Sequence, residues 1–188
     1  MKIAVLGSAF NPPTLGHKDV IKQCLDANCF DEILLVPSIA HVFGKKMAPF
    51  VDRVSWLELF LSDLNADKLF NPANTRLSIN LCEQRLFANA NNEGTVCTYD
   101  VLNFLKNDYE KKYLDAVSLF FVIGPDNVKN LAKFKYAKEL QETFDFFIAK
   151  DKTNIRSTTL RTALDAKDDI SAFTTESVMA KLIKWKRN

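Results

Sequence analysis

Apolar positions along the chain change period repeatedly. Short runs suited to buried strands alternate with segments whose apolar residues recur every three or four positions, as on one helix face. The first run is Lys2-Ile3-Ala4-Val5-Leu6, closed by Gly7; Lys18 to Cys29 follows, with Val20, Ile21, Cys24 and Leu25 at helical spacing. Glu32 to Pro37 predicts a second strand, and Phe50 to Leu64 a helix with Val54, Leu57, Leu61 and Leu64 on one face. Arg76 to Leu81 is a candidate third strand. Tyr99 to Tyr109 predicts a helix through Val101, Leu102, Leu105 and Tyr109. Ser118 to Ile123 is a strand ended by Gly124-Pro125, and Thr143 to Ala149 is another. Helices are predicted over Asn127 to Glu142, broken near Lys133, and over Thr158 to Ala166 and Glu176 to Trp185. Pro37 to Pro49 and Ala88 to Gly94 read as loops, and Leu69 to Asn74 as turn-rich. The fold class expected is α/β, a Rossmann-like parallel sheet with helices on both faces. Ligands then bind at the carboxyl ends of the strands, near a switch in strand order.

Composition narrows the function classes. The chain has 188 residues, is 47% hydrophobic and contains 15 Phe, which suits a single domain over 1–188 with a substantial core. A formal net charge of +2 argues against nonspecific nucleic-acid binding as the main task. No apolar run reaches membrane-spanning length, and Gly7 and Asn11 interrupt the start too early for a signal segment. Cys24, Cys29, Cys82 and Cys97 form no CxxC pair and read as reduced thiols of a cytoplasmic protein. With only two histidines there is no zinc-type spacing, and no protein-bound metal is expected.

The densest chemistry lies in Gly7-Ser8-Ala9-Phe10-Asn11-Pro12-Pro13-Thr14-Leu15-Gly16-His17. Strand, glycine-bearing turn and helix start, in that order, present backbone N–H groups to an anion. Pro12 and Pro13 stiffen the loop, Gly16 permits close approach of a ligand, and His17 stands at the helix entry. The five glycines form neither GxGxxG nor GxxxxGK(S/T), which disfavours a dehydrogenase-type cofactor site and a P-loop. Ser157 and Thr158 open a predicted helix and offer a second anion site, with Arg161 one turn further on.

These two segments resemble the GxxFxPxxxGH and ISSTxxR-like signatures of the nucleotidyltransferase superfamily, with Thr14-Leu15-Gly16-His17 as its TxGH element. Ile155-Arg156-Ser157-Thr158-Thr159-Leu160-Arg161 carries Arg156 where the family commonly has Ser. The resemblance implies transfer of a nucleotidyl group from a nucleoside triphosphate to a phosphate, with pyrophosphate released. It implies ATP contacts at Gly7, Ser8, Ala9, Phe10, Gly16, His17, Ser157, Thr158 and Arg161, with His17, Thr14 and Arg161 supporting catalysis. The attacking phosphate is already an anion, so no general base is needed; the protein gathers polyanions and stabilises transition-state charge. His17 serves as an imidazolium or as a neutral donor. Mg²⁺ is expected to arrive with ATP, held chiefly by its oxygens and by water.

The middle of the chain is similar to the nicotinate/nicotinamide mononucleotide adenylyltransferase branch. Phe43-Gly44-Lys45-Lys46 followed by Arg53 resembles its loop lysine and helix-borne arginine, with Lys45 or Lys46 as that lysine. Thr98-Tyr99-Asp100-Val101-Leu102 resembles its SYTxDTL element, although Val96, Cys97 and Val101 depart from it. Ile123-Gly124-Pro125-Asp126 resembles its GxD turn, which places Gly124 and Asp126 at ATP. Phe134 falls where a pyridine-stacking Trp is common. The resemblance therefore implies acceptor contacts at Lys45, Lys46, Arg53, Thr98 and Phe134, and a pyridine mononucleotide, nicotinate in preference to nicotinamide, made into a dinucleotide in NAD biosynthesis. A phosphopantetheine adenylyltransferase-like enzyme and a non-catalytic nucleotide-binding module are the alternatives. Outside the resemblance, Thr98 and Asp126 each read as caps of the helices they precede or open.

Overall fold

The computed structural model describes residues 1–40, 46–70, 72, 74–90, 96–114 and 116–187, with the side chains of Asp126 and Arg187 outside the description. Five strands, β1 Lys2–Ser8, β2 Glu32–Pro37, β3 Arg76–Ile79, β4 Ser118–Ile123 and β5 Asp145–Ile148, form one sheet in the order β3-β2-β1-β4-β5. All four pairings are parallel. The helices are α1 Leu15–Asp26, α2 Phe50–Ala66, α3 Cys82–Asn89, α4 Thr98–Tyr113, α5 Pro125–Lys129, α6 Ala137–Thr143, α7 Ser157–Ala166 and α8 Glu176–Arg187.

Both sheet faces are covered, which explains why the central strands are apolar without a break. Ala4, Leu6, Ile33 and Leu35 join α1, α2, α7 and α8 in one core. Ile3, Val5, Leu34 and Val36 point the other way and pack with α4 and α6. Chain direction switches between β1, which leads to β2 on one side, and β4, which lies on its other side. A ligand crevice belongs at that switch. Gly7-Ser8 and Gly124 sit there, at the carboxyl ends of the two strands.

The strand predictions match closely, with β2 and β4 at the expected bounds. Several helix starts differ by one to three residues. Helix α1 begins at Leu15 with Thr14 as N-cap, so His17 lies inside its first turn. The cap of α4 is Cys97, whose thiol donates to Asp100 Oδ2 (2.9 Å); Thr98 is the first helical residue rather than the cap. Likewise Gly124, not Asp126, caps α5. The candidate third strand stops at Ile79 because the Asn80 side chain accepts the Cys82 N–H (2.9 Å) and turns the chain into α3. That helix was not predicted; it takes in Ala88 and Asn89, and 91–94 of the expected loop lie outside the described residues. The predicted break near Lys133 is present as a 3₁₀ turn, Leu131–Lys133, between α5 and α6.

At the end of the sheet remote from the crevice, Glu32 is fully buried. Its carboxylate accepts both Arg76 Nε (3.1 Å) and Nη2 (2.7 Å), the Ser78 hydroxyl (2.5 Å) and the Tyr109 hydroxyl (3.2 Å). Arg76 keeps 54% of its side chain exposed while Glu32 keeps none, so the costs of breaking the pair are unequal. Arg76→Ala strands a buried carboxylate and is expected to destabilise the fold by about 3 kcal/mol or more. Urea denaturation measures this, and a loss below about 1 kcal/mol, the range of an exposed pair, would count against the network.

Candidate nucleotide site at the strand switch

The two sequence motifs, far apart in the chain, meet at the crevice. A Cβ placed on Gly16 would fall 2.3 Å from the Ile155 carbonyl oxygen. Gly16 is therefore required by the close approach of the second motif's backbone, a reason the sequence alone did not give. By contrast, a Cβ on Gly7 would make only ordinary contact with Phe121, and one on Gly124 would meet open space. The Ser157 hydroxyl donates to the Pro12 carbonyl (2.8 Å), and Arg161 Nη1 to the Asn11 carbonyl (2.5 Å). Thr174 Oγ1 donates to the Pro13 carbonyl (2.8 Å), and the Leu15 N–H to the Phe173 carbonyl (2.8 Å).

A cavity of about 260 Å³ opens beside this junction, lined in part by Ser8, Gly16, His17, Gly124, Arg156 and Ser157. Thr14 also borders it, together with Lys150. Ala9, Thr158 and Arg161 border an adjoining cavity of about 200 Å³, which Arg156 and Ser157 share. Arg161 Nη2 also reaches the Thr158 hydroxyl (3.2 Å). Thus all the proposed triphosphate residues whose side chains are described, except Phe10, line one of these two spaces or, for Gly7, the cavity beyond β1. The Phe10 side chain is buried beneath the loop, its ring centroid 4.9 Å from that of His17, with a backbone φ of 44°. Such a left-handed conformation is uncommon outside glycine and is held here by the surrounding packing.

His17 is set in one tautomer. The Thr14 N–H donates to His17 Nδ1 (3.0 Å), and the Thr14 hydroxyl lies 2.9 Å from the same atom. A nitrogen that accepts an N–H carries no proton, so the ring proton is on Nε2, which lies 3.1 Å from Ser8 Oγ at the cavity wall. Burial, and secondarily the charge of Arg156, lowers the His17 pKa to about 4. Both effects disfavour the charged form, so the neutral donor is selected over the imidazolium.

On the opposite face of β1, Gly7, Thr98 and Phe134 line a third cavity of about 120 Å³ with Ser38 and Glu83. Two expected acceptor residues, Thr98 and Phe134, are thereby brought together. Arg53 differs from the expectation of an open acceptor contact. It is buried, and its guanidinium donates to the carbonyls of Ala48 (3.0 Å), Ala9 (2.7 Å), Ser38 (2.7 Å) and Ile39 (3.3 Å). Arg53 thus ties the loop after β1 to both described ends of the loop after β2. Lys46 is exposed and borders a separate apolar groove with Trp56 and Trp185, and Lys45 lies outside the described residues. Two residues not singled out as ligands enter the site. Arg156 was marked by its position immediately before Ser157, and Glu83 by following a strand's carboxyl end.

The model of the cytidylyltransferase-like family matches residues 5–163, and the chain belongs to that family; it is a nucleotidyltransferase. Within that class it falls in the nicotinate/nicotinamide mononucleotide adenylyltransferase group. A crystal structure from Vibrio parahaemolyticus, described as a "putative nicotinate-nucleotide adenylyltransferase", is 35% identical with a TM-score of 0.75, covering 97% of this chain and 98% of that one. A "probable nicotinate-nucleotide adenylyltransferase" of Aliarcobacter butzleri is 27% identical over 183 residues, 89% of this chain and 90% of the relative. A Plasmodium falciparum nicotinic acid mononucleotide adenylyltransferase complexed with NaAD, 16% identical over 98% of this chain and 96% of its own, shares the fold with a TM-score of 0.71.

In the ligand-free protein the His17 ring is expected to titrate near pH 4, against 6.5 for an unperturbed histidine. Because the folded chain resists this proton, the associated stability is complete above pH 6.5 and lost as the pH falls toward about 4. With only two histidines in the chain, NMR titration of the ring resonances reads this directly. Two midpoints both near 6.5 would contradict it.

Proposed function

We propose that this nucleotidyltransferase transfers the adenylyl group of ATP to a pyridine mononucleotide, nicotinate mononucleotide by preference, giving a dinucleotide and pyrophosphate as a step of NAD biosynthesis. The observation that carries this reading is the joining of the Thr14–His17 and Ser157–Arg161 segments around one crevice, with the Thr98–Phe134 cavity across β1. The relatives' names support the acceptor class.

In this reading ATP lies over the carboxyl ends of β1 and β4. His17 Nε2–H exchanges its Ser8 contact for a phosphate oxygen, as a neutral donor whose direction is fixed by Thr14. Ser157 and Thr158 offer hydroxyls and first-turn N–H groups of α7 to the same polyanion, and Arg161 and Arg156 supply charge. Asp126, in the first turn of α5, is the expected partner of the ATP ribose. The acceptor phosphate attacks the α-phosphorus in line while these donors hold charge that moves toward the leaving pyrophosphate. Among the described residues no group of three His, Cys, Asp or Glu side chains could hold a metal ion. Mg²⁺ enters as part of the ATP complex, bound by phosphate oxygens and water. No helix among the described residues is long and apolar enough to cross a membrane, and we place the activity in the cytoplasm.

The test is pyrophosphate release from ATP and Mg²⁺ with nicotinate mononucleotide, nicotinamide mononucleotide or phosphopantetheine. Turnover is expected with the pyridine nucleotides and little with phosphopantetheine. ATP binding without release under any condition would favour a non-catalytic module. His17→Ala should lower kcat by about a hundredfold, as for loss of one transition-state donor. Unchanged turnover in the folded variant would remove His17 from the mechanism.

A further inference from the structure

The cavity across β1 differs in kind from the two beside His17. Its described lining contains no Lys, Arg or His, and Glu83 is its one ionisable group. The rest of the wall is apolar apart from Ser38, Thr98 and Asn127, with Phe134 on one side. Such a space suits a flat aromatic ring and not a phosphate, and the positive charge of an N-glycosylated pyridinium is compatible with an acidic neighbour. Resting on the proposed acceptor class, this cavity takes the pyridine ring, and its substituent meets Glu83.

The Glu83 carboxylate is held in place. The Ile39 N–H donates to its Oε2 (2.9 Å), the Ser38 hydroxyl is a second partner, and only 8% of the residue is exposed. The charged or titratable groups acting on it are few. From α2 comes Arg53, whose charge favours the carboxylate; from α3 itself comes the Cys82 thiol, whose pKa is pushed up to about 12 and which stays neutral. The faces of α4 and α5 present Thr98 and Asn127, which do not titrate.

We propose that Glu83 sets the choice between pyridine mononucleotides that bear a carboxylate and those that bear a carboxamide, through a proton it must take up before a carboxylate can share its cavity. Two ionised carboxylates in one small, apolar-walled space repel with little screening. Nicotinate mononucleotide therefore binds with one proton from solvent, which resides on Glu83 and donates to the substituent. Nicotinamide mononucleotide needs no proton, since its amide N–H donates to ionised Glu83. Burial raises the Glu83 pKa to about 7, against the pull of the Ile39 N–H, Ser38 and Arg53, so the proton is available at neutral pH and scarce above it.

Steady-state kinetics with ATP, Mg²⁺ and each acceptor between about pH 6.5 and 9 test this. Ionisation of the acceptor phosphate is common to both compounds and cancels in the ratio of kcat/KM values. In the wild-type protein the nicotinate-to-nicotinamide ratio should fall about tenfold per pH unit above about 7, the slope of one-proton uptake. The change should lie in KM for nicotinate mononucleotide, not in kcat. Glu83→Gln should make the ratio independent of pH. Should that variant not fold, calorimetry of the wild-type protein in two buffers of different ionisation enthalpy reads the same proton, with uptake for nicotinate mononucleotide alone. A flat wild-type ratio, an unchanged slope in Glu83→Gln, or equal proton uptake for both acceptors would overturn the proposal. Lack of turnover with either acceptor would overturn the proposed function itself, and this inference with it.

Discussion

The packing of the Gly16 backbone against the Ile155 carbonyl is the contact on which the site depends. Any side chain at position 16 would push the two segments apart, since the obstructing atom is backbone and has no rotamer to change. Around this point the C-terminal part of the chain satisfies the loop after β1. Asn11 and Pro12 form a bend, and the carbonyls of Pro12 and Pro13 take their donors from distant parts of the chain. Ser157 and Thr174 supply the missing donors from more than 140 residues away, and Arg161 does the same for Asn11. The same side chains that build the pocket thus secure the loop that shapes it.

Further organisation comes from buried polar groups used as struts. Arg53 distributes its donors among four carbonyls and joins the segments following β1 and β2. The Asn11 side chain accepts the Ala48 N–H (3.2 Å) and extends the same tie. Phe10 packs against His17, burial and the Arg156 charge keep the imidazole neutral, and Thr14 aims it. Arg156, paired with Asp151, and Arg161 border the spaces beside His17. β1 separates these spaces, where charged residues of both signs meet, from a cavity whose single ionisable described group is an acid.

Much of this was legible in the sequence. Strands buried on both faces appear as unbroken apolar runs, so β2 and β4 were located to the residue. The crevice followed from the strand–loop–helix order around Gly7–His17 and from the paired C-terminal segment. What escaped the sequence was long-range in origin. The second demand on Gly16, the Ile155 carbonyl packed against it, could not be read because Ile155 could not be placed there. Arg53 looked like a substrate contact because nothing local reveals the four carbonyls that surround it. Helix α3 was missed because it is short, with half of its eight residues polar, and its start is set by the Asn80 side chain, not by apolar period. Glu83 gains its character from burial under segments contributed by β2, α2 and α4.

The claim that the two distant motifs form one site through the Gly16–Ile155 contact is tested most directly by ATP binding to Gly16→Ala, measured by calorimetry beside the wild-type protein. The account predicts a chain that still unfolds cooperatively but binds ATP about tenfold more weakly or worse, because donors displaced by a fraction of an ångström to an ångström lose hydrogen-bond geometry. Wild-type affinity in Gly16→Ala would contradict it.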